Sequence, residues 1–313
     1  MRGFIVRRLF FALLSVLGAT VFIFSLTRMA HDPRALFVPE QGYGDTNRVL
    51  WEKLGREWGF DKPAVVQYAT WLGKVVRGDL GRSLFSPREV RTLLGGKLGA
   101  TLQLALGAWI FAVIVGLPMG VLAAVKRGTP WDLTARLFAL FGLAMPAFWT
   151  GIMLILVFAV YLNWLPPGGR GEGLHIKNYI LPCIALGWPS AAGLMRLTRS
   201  SMLEVLDSEF VKFARAKGVT DLAVIWKHAF RNSLLAPFTA MVFLLAAFLN
   251  GAIVIETVFA WPGVGWMAAQ QAVLQNDFPL MQGAVLIFVT IYVVFAFLAD
   301  LVYAYLDPRI RYQ

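Results

Sequence analysis

The side chains that most often carry out chemistry are sparse in this sequence and widely separated. The three histidines, His31, His175 and His228, lie far apart, and Cys183 is the single cysteine. One cysteine cannot form an internal disulfide or a multi-cysteine metal site. Residues 95–98, GGKL, have neither the spacing nor the Ser/Thr of a phosphate-binding loop. Without GxSxG or HExxH motifs either, we expect no enzyme activity and no cofactor or metal bound by this chain.

Two carboxylates stand out because they lie within or at the ends of apolar segments, Glu256 and Asp300. A charge at the centre of a bilayer costs about 2.5–3.5 kcal/mol on insertion scales, so each should face protein or water. Asp300 is interpreted as structural. Glu256 leaves two interpretations open: a helix-end carboxylate bonded to the backbone of the following turn, or part of an outer gate or substrate path. The residues of that candidate gate are Glu256, Phe259, Trp261, Pro262 and Gly263.

The elements that must position these residues are membrane spans. Of the 313 residues, 58% are hydrophobic and 15% are charged, whereas soluble domains average about 25% charged residues. A spanning helix needs about 20 mostly apolar residues. Six segments qualify, at residues 9–26, 102–125, 137–162, 180–197, 234–255 and 280–306. The fourth is the weakest, because Pro182 and Pro189 interrupt it. We predict an all-α membrane protein with six transmembrane helices.

The net charge of +11 is interpreted as a signal of topology, because Lys and Arg accumulate in short cytoplasmic loops. If the N-terminus is cytoplasmic, the short outer loops hold only Arg170 and Lys177. The inner segments then hold basic clusters throughout, including Arg309 and Arg311 after the last span. We therefore expect both termini in the cytoplasm and no nucleic-acid partner.

The spans divide the chain into three predicted parts. Residues 1–29 form an N-terminal transmembrane helix, whose apolar run exceeds the 7–15 residues usual in a signal peptide. Residues 30–97 form an extracytoplasmic loop. In it WEKLGREWGF and VVQYATWLGKVV have helical spacing, which predicts short amphipathic helices against the outer face. Residues 98–313 form the core transmembrane domain, with a cytoplasmic loop at 200–233.

The stretch from residue 209 to 233 is charged, although apolar spans lie on both sides of it. Helical spacing predicts one apolar stripe before its glycine, formed by Leu203, Leu206, Phe210, Phe213 and Ala214. Gly218 is a predicted helix stop, Thr220 a predicted N-cap of a second helix, and Asp221 suits the positive end of that helix. The second helix is predicted to carry an apolar face of Leu222, Ile225, Trp226, Ala229 and Phe230.

Three interpretations of this helix pair compete. It could pack on the membrane surface, with its basic residues on anionic headgroups. It could be a DNA-binding helix-turn-helix, which also joins two helices by a short glycine turn. Only a few residues separate these helices from spans at both ends, so a DNA groove would be hard to reach. The third interpretation is a projecting knob that docks into a cleft of a partner protein, with apolar anchors and a charged rim.

The motif residues favour the docking knob. The run LTRSSMLEVLDSEFVKFARAKGVT, followed by HAFRNSLL, closely resembles the cytoplasmic EAA loop of ABC importer permeases, in its dipeptide/oligopeptide form. Aligned on Gly218, the three EAA positions are Lys212, Phe213 and Ala214, so the second alanine and the glycine match. The ARAKG variant at 214–218 is usual in the peptide branch, whereas the usual LLP is Leu-Leu-Ala-Pro here, at 234–237.

Further motifs extend the resemblance over most of the chain. Segments at 59–71, 78–83 and 256–265 are similar to GLDxPxxxQYxxW, GDLGxS and ETVFxxPGxG of the same branch. One departure is KLGAT at 97–101, where RLPxT is usual; glycine in place of proline is expected to soften the start of the second span.

The resemblance implies a type I ABC importer permease fold in the cytoplasmic (inner) membrane. In that family the EAA loop couples transport to an ATPase subunit by sitting in its cleft. The implied coupling residues are Glu209, Phe213, Ala214, Arg215, Lys217, Gly218, Val219, Thr220 and Asp221. The implied partners are a second homologous permease subunit, two ABC ATPase subunits that hold ATP and Mg, and an extracytoplasmic substrate-binding protein.

The resemblance also implies import of di- or oligopeptides, although members also handle nickel and other small solutes, so the cargo stays open. The alternative is an ion-coupled secondary transporter without ATPase partners, in which the helix pair would be only a surface hairpin. A purely structural membrane subunit is a third possibility, which the outer-loop motifs disfavour.

Overall fold

The computed structural model describes residues 2–30, 34, 37, 45–59, 61–171 and 175–306. His31, Phe60, Arg309 and Arg311 lie outside these described residues. The described chain is helical, apart from loops and one isolated bridge between Arg82 and Glu89. It forms two compact units, one of Met1–Leu98 with Met267–Val293 and the other of Gly99–Trp266 with Val294–Gln313.

In the first unit, α1 (Arg2–Ala30) is followed by α2 (Asp45–Trp58) and α3 (Ala64–Val76). Both predicted helices of the long loop are therefore present. Tyr68 of α3 forms a 2.8 Å hydrogen bond with Thr20 of α1, and its ring lies edge-on to Phe24. Trp71 lies 5.5 Å from the same phenylalanine ring. The aromatic residues of the predicted loop motif thus hold α3 against the first span.

The GDLGRS motif of the first unit positions the start of the last helix, α13 (Phe278–Leu306). Ser83 donates a hydrogen bond to the buried carboxylate of Asp277, which also accepts from the backbone N–H of Leu280 at 3.2 Å. Asp277 is therefore the N-cap of α13, since its side chain satisfies a free N–H of the first turn. Further along α13, Gln282 donates to Thr27 of α1 at 2.7 Å.

The second unit contains most of α4 (Val90–Val125), then α5 (Pro130–Ala144), α6 (Ala147–Leu154) and α7 (Ile176–Leu206). The helix α11 (Leu235–Val258) also belongs to it. The helix α7 packs against α5, α6 and α11. It also approaches α4 closely at small residues: a Cβ on Gly116 would lie 2.7 Å from the carbonyl oxygen of Ala191. Small residues let membrane helices pack closely.

Helices long and apolar enough to cross a membrane confirm the predicted bundle. Four of them are described, Ile5–Met29, Val90–Val125, Ile176–Leu206 and Phe278–Leu301. Two bent pairs, Pro130–Ala144 with Ala147–Tyr161 and Asp221–Ser233 with Leu235–Leu249, bring the total to six if each pair is one span.

Three boundaries differ from the sequence prediction. The third segment is not one helix, since it bends by 109° between Ala144 and Ala147. Proline disfavours helical geometry in the residue before it, and Met145 before Pro146 is extended. The fourth segment is a continuous helix of 31 residues despite Pro182 and Pro189. The second helix begins at Val90, well before the predicted residue 102, and runs without a break through Gly99; the softening expected at Gly99 stays a prediction.

Candidate functional site

The charged stretch at residues 209–233, called the hairpin below, is a helix–turn–helix in the second unit. Its first arm is α8 (Glu209–Ala216). At its end the N–H of Gly218 donates to Arg215 at 2.9 Å, and the N–H of Val219 donates to Ala214 at 3.2 Å. These two bonds form a Schellman motif, which needs a left-handed residue, and Gly218 has a φ of +79°. The predicted glycine stop is confirmed.

The second arm begins where predicted but is not an ordinary helix. Thr220 occupies the N-cap position with an extended backbone, yet its side chain makes no capping hydrogen bond. After α9 (Asp221–Ala223) the chain forms a π-helical segment, Val224–Phe230, and then α10 (Arg231–Ser233). Bonds between residues five apart widen a π turn. As a result Val224 and Ala229 share one face, and both are fully buried.

The hairpin is held on the ends of two long helices. Ala229 packs with Met202 of α7 and with Val121 and Ala124 of α4 in one buried cluster. Val211 of the first arm is also fully buried. Leu203 and Leu206, at the end of α7, pack against the same cluster. The hairpin therefore has a fixed base and is not free to swing independently of α4 and α7.

Several residues of the two predicted apolar faces stay exposed beyond this base. Phe210 and Phe213 are exposed, and so are Leu222 and Trp226 of the second arm. The first arm buries Val211 and leaves its two phenylalanines exposed. The hairpin thus exposes four large apolar side chains on its two arms, Phe210, Phe213, Leu222 and Trp226, which are called its apolar face below. Such a face on a folded chain marks an interaction surface with another protein or with lipid.

Charged groups border this face. Lys212 forms a 2.8 Å ion pair with Glu209, and the Nζ of Lys217 lies 4.5 Å from the ring centroid of Phe213. Among the predicted coupling residues, Ala214 and Val219 are half-buried. The exposed ones are Glu209, Phe213, Arg215, Lys217, Gly218, Thr220 and Asp221. The hairpin thus presents apolar anchors with a charged rim, the pattern of a protein-binding surface.

The second predicted group lies in the Glu256 loop (residues 256–266), which runs from the end of α11 into the short helix α12 (Val264–Met267). Glu256 is fully buried, and its carboxylate accepts a 2.9 Å hydrogen bond from the N–H of Trp266. A Cβ on Gly263 would clash with this carboxylate, so glycine makes room for it. This arrangement matches the first interpretation of Glu256, a helix-end carboxylate bonded to backbone, although the backbone donors are Gly265 and Trp266 and not the Pro262–Gly263 turn.

The other candidate gate residues pack inside the second unit. Phe259 and Trp261 are buried, and the indole Nε1 of Trp261 donates to the carbonyl of Ala100 at 2.9 Å. The N–H of Val264 donates to Oγ1 of Thr101 at 2.9 Å. Gly263 is buried and Pro262 half-buried. The loop therefore packs onto α4 at Ala100 and Thr101, and a role in gating stays a prediction.

The remaining chemistry-bearing residues form no metal centre in the part of the chain that is described, where no three His, Cys, Asp or Glu side chains come together. Cys183 is buried. Asp300 is half-buried and has an interaction partner.

Comparison with known proteins identifies the family. The sequence model for "Binding-protein-dependent transport system inner membrane component" matches residues 116–312, more than half of the chain. The chain belongs to this family. It is 38% identical to the dipeptide transport system permease protein DppB of Escherichia coli (strain K12), over 100% of both chains. It is 35% identical to the oligopeptide transport system permease protein AppB of Bacillus subtilis (strain 168), again over 100% of both.

Solved structures confirm the permease fold. An inward-facing MetNI methionine ABC transporter matches with a TM-score of 0.57 and 18% identity, over 69% of this chain and 96% of that chain. An amino acid ABC transporter structure with histidines matches with a TM-score of 0.54 and 17% identity, over 68% and 93% of the two chains.

Membership in this family makes the chain a multi-pass membrane component of a transport system and not an enzyme. The matched region of this inner membrane component contains both the hairpin and the Glu256 loop. The docking role of the hairpin stays a prediction.

The sequence analysis of this inner membrane component missed a buried ion pair. The Asp132 carboxylate, in the first turn of α5, accepts hydrogen bonds from Arg199 of α7 and from the N–H of Gly128 at 3.1 Å. Arg136 lies one turn further along α5, 3.5 Å from the same carboxylate. The available signal was an acidic residue inside a short basic loop, between Arg127 and Arg136. The pair ties α5 to the helix that leads into the hairpin.

Proposed function

We propose that this chain is one of the two membrane subunits of an ATP-driven importer for peptides. The observation that carries the proposal is the exposed face of Phe210, Phe213, Leu222 and Trp226 on a hairpin with a fixed base. The peptide cargo is inferred from the full-length relatives, which are named as dipeptide and oligopeptide permeases.

The partners follow from the same proposal. Each ABC ATPase subunit of the pair binds ATP and Mg, and one of them receives the hairpin in a cleft. A second homologous permease completes the path, and an extracytoplasmic protein delivers the substrate. This chain contributes no nucleotide site. Its part is to bind one ATPase and to change conformation with it.

Coupling would depend on the base of the hairpin. When the ATPase pair closes on ATP, it would move the hairpin, and the buried cluster around Met202 would move the ends of α4 and α7 with it. The ion pair between Asp132 and Arg199 would carry the same motion to α5. ATP can drive this change only because the ATPase binds the two packings of the bundle with different affinity.

In this scheme the Glu256 loop stiffens the helices that it contacts. The Glu256 carboxylate and the Trp261 side chain are buried inside the second unit. The carboxylate accepts a hydrogen bond from the N–H of Trp266, and the indole donates one to the carbonyl of Ala100. A buried group of this kind has no free surface toward a substrate. We therefore infer that the loop stiffens the end of α11 and the part of α4 around Ala100 and Thr101.

A matched pair of tryptophans tests the docking role. Trp226 is 52% exposed on the hairpin, and Trp131 is 61% exposed at the start of α5. The chain should be co-expressed with the ABC ATPase subunits of its transport system and purified as a complex. Removing a central aromatic anchor costs about 2 kcal/mol of binding, so Trp226→Ala should weaken ATPase binding by about 30-fold.

Trp131→Ala is the control, and it should leave ATPase binding unchanged. Equal binding by both variants would reject the hairpin as the docking element. Peptide uptake that needs an ion gradient but no ATPase would support the secondary-transporter alternative.

A further inference from the structure

A groove of about 980 Å³ runs between α5 and α7 in the second unit, away from the hairpin face and the Glu256 loop. Its two ends differ in chemistry. One end carries Arg136, Arg196 and Arg199, and the other is lined by Leu140, Leu143 and Gly193. The arginines lie toward the start of α5 and the end of α7, which the charge distribution predicts to be cytoplasmic.

The charged end has an excess of positive charge. Asp132 is the carboxylate bonded there, and Arg199 occupies both of its oxygens. Arg136 approaches the same group only at 3.5 Å, with 55% of its side chain exposed. Arg196 is exposed. The next carboxylates along α7 do not line the groove, since Glu204 lies two turns beyond Arg196 and Asp207 pairs with Arg127. Arg136 also donates from Nε to the backbone carbonyl of Asp132 at 3.4 Å, so one edge of its guanidinium is already bonded. More than half of the Arg136 side chain is nevertheless exposed, and together with the exposed Arg196 it can bind an anion.

The apolar end has the dimensions of part of a lipid chain. The face of α5 that carries Arg136 continues along the helix, at helical spacing, with Leu140, Leu143 and Ala144. From Arg136 to Ala144 the helix rises by about 12 Å, close to one leaflet of a hydrocarbon core of about 30 Å. Across the groove, Gly193 leaves open space, because a Cβ there would meet no atom within 4 Å.

We propose that this groove binds an anionic phospholipid, with its phosphate on Arg136 and Arg196 and one acyl chain between Leu143 and Gly193. Guanidinium groups bind phosphate oxygens in pairs of parallel hydrogen bonds, and basic pockets between transmembrane helices bind lipid headgroups. A peptide fits less well, because its backbone amides would be desolvated along Leu140 and Leu143 without partners. The proposal is independent of peptide transport.

The test uses the full chain purified in detergent, with lipid binding measured by native mass spectrometry and by thermal unfolding. Phosphatidylglycerol should bind and raise the Tm, whereas phosphatidylcholine and inorganic phosphate should do neither. Each basic residue near an anionic surface contributes about 1 kcal/mol of binding free energy. The Arg136→Gln/Arg196→Gln double variant should therefore weaken phosphatidylglycerol binding by about 30-fold.

Two further variants distinguish a specific lipid site from nonspecific attraction between basic residues and anionic lipid. Lys126→Gln removes an exposed basic residue on the same predicted side but outside the groove, and it should bind phosphatidylglycerol normally. Gly193→Leu adds an apolar side chain to the apolar end, where its Cβ meets no atom within 4 Å, and keeps all three arginines, so it should also lose the lipid.

Other outcomes overturn the proposal. Equal binding of phosphatidylcholine, unchanged binding in the double variant, or unchanged binding in Gly193→Leu would each reject the site. Stabilisation by inorganic phosphate alone would show an anion site without a lipid chain. A cysteine at Leu143 that cross-links to another subunit of the assembled transporter would show that protein covers the groove.

Discussion

Arg199 donates two hydrogen bonds to Asp132, from Nε to Oδ1 at 2.9 Å and from Nη2 to Oδ2 at 3.1 Å. The carboxylate is buried, whereas 23% of the arginine side chain is exposed. Because α7 continues directly into the hairpin, this bidentate pair fixes the start of α5 to the stem of the proposed coupling element.

Asp132→Ala should lower the free energy of unfolding of the purified chain by about 1–3 kcal/mol, because it leaves the half-buried Arg199 without its acceptor. Denaturant or thermal unfolding in detergent measures the change. The matched control is Arg127→Ala, which removes the exposed 3.6 Å pair with Asp207. Exposed ion pairs contribute little, so an equal loss in both variants would contradict the structural role of Asp132.

Gly218→Asp should uncouple ATP hydrolysis from uptake, because it places a charge in the docking turn. Gly218→Asn is the matched control. Both side chains tolerate the left-handed backbone better than other residues, and neither meets an atom within 4 Å of its Cβ. Uptake and ATPase rate in reconstituted vesicles should therefore show a loss of coupling of tenfold or more in the aspartate variant, with the asparagine variant less affected. Normal coupling in the aspartate variant would argue against docking at this turn.

Gly263→Ala should destabilise the Glu256 loop by about 1–3 kcal/mol, the usual cost of overpacking, since its Cβ would clash with the Glu256 carboxylate. Glu256→Ala removes that clash, so the double variant should recover part of the lost stability. Gly99→Ala is a control in a helix with open space at its Cβ, and it should not destabilise the chain. A strictly additive Gly263/Glu256 double-mutant cycle would mean that the two residues do not interact.

Much of this architecture could be predicted from the sequence, because long apolar runs and a charged interruption leave few alternatives. The spans and the glycine stop at 218 are examples. The bend at Met145 was missed although Pro146 signalled it, since the apolar run continues through the proline. The π-helical turn could not be predicted, because the apolar residues of the second arm also fit an ordinary helix.

The sequence also could not predict which side chains the hairpin buries. Val211, Val224 and Ala229 are fully buried, whereas Phe213 and Trp226 are exposed. The base formed by Val121, Ala124 and Met202 is covered by Ala229 together with the half-buried Ile225 and Phe230, and helical spacing alone does not specify which apolar residues cover it. The pairing of Asp132 with Arg199 joins residues 67 positions apart, a separation at which sequence spacing carries no information.

Site-directed cross-linking in the assembled transporter tests the docking of the hairpin most directly. Thr220→Cys adds an exposed thiol to a chain whose single native cysteine, Cys183, is buried. A short thiol–amine cross-linker should join position 220 to an ABC ATPase subunit, with a yield that changes on ATP addition, while Val76→Cys on α3 should give no such product. A thiol at position 220 that is shielded by lipid and forms no ATPase adduct, with or without ATP, would contradict the account.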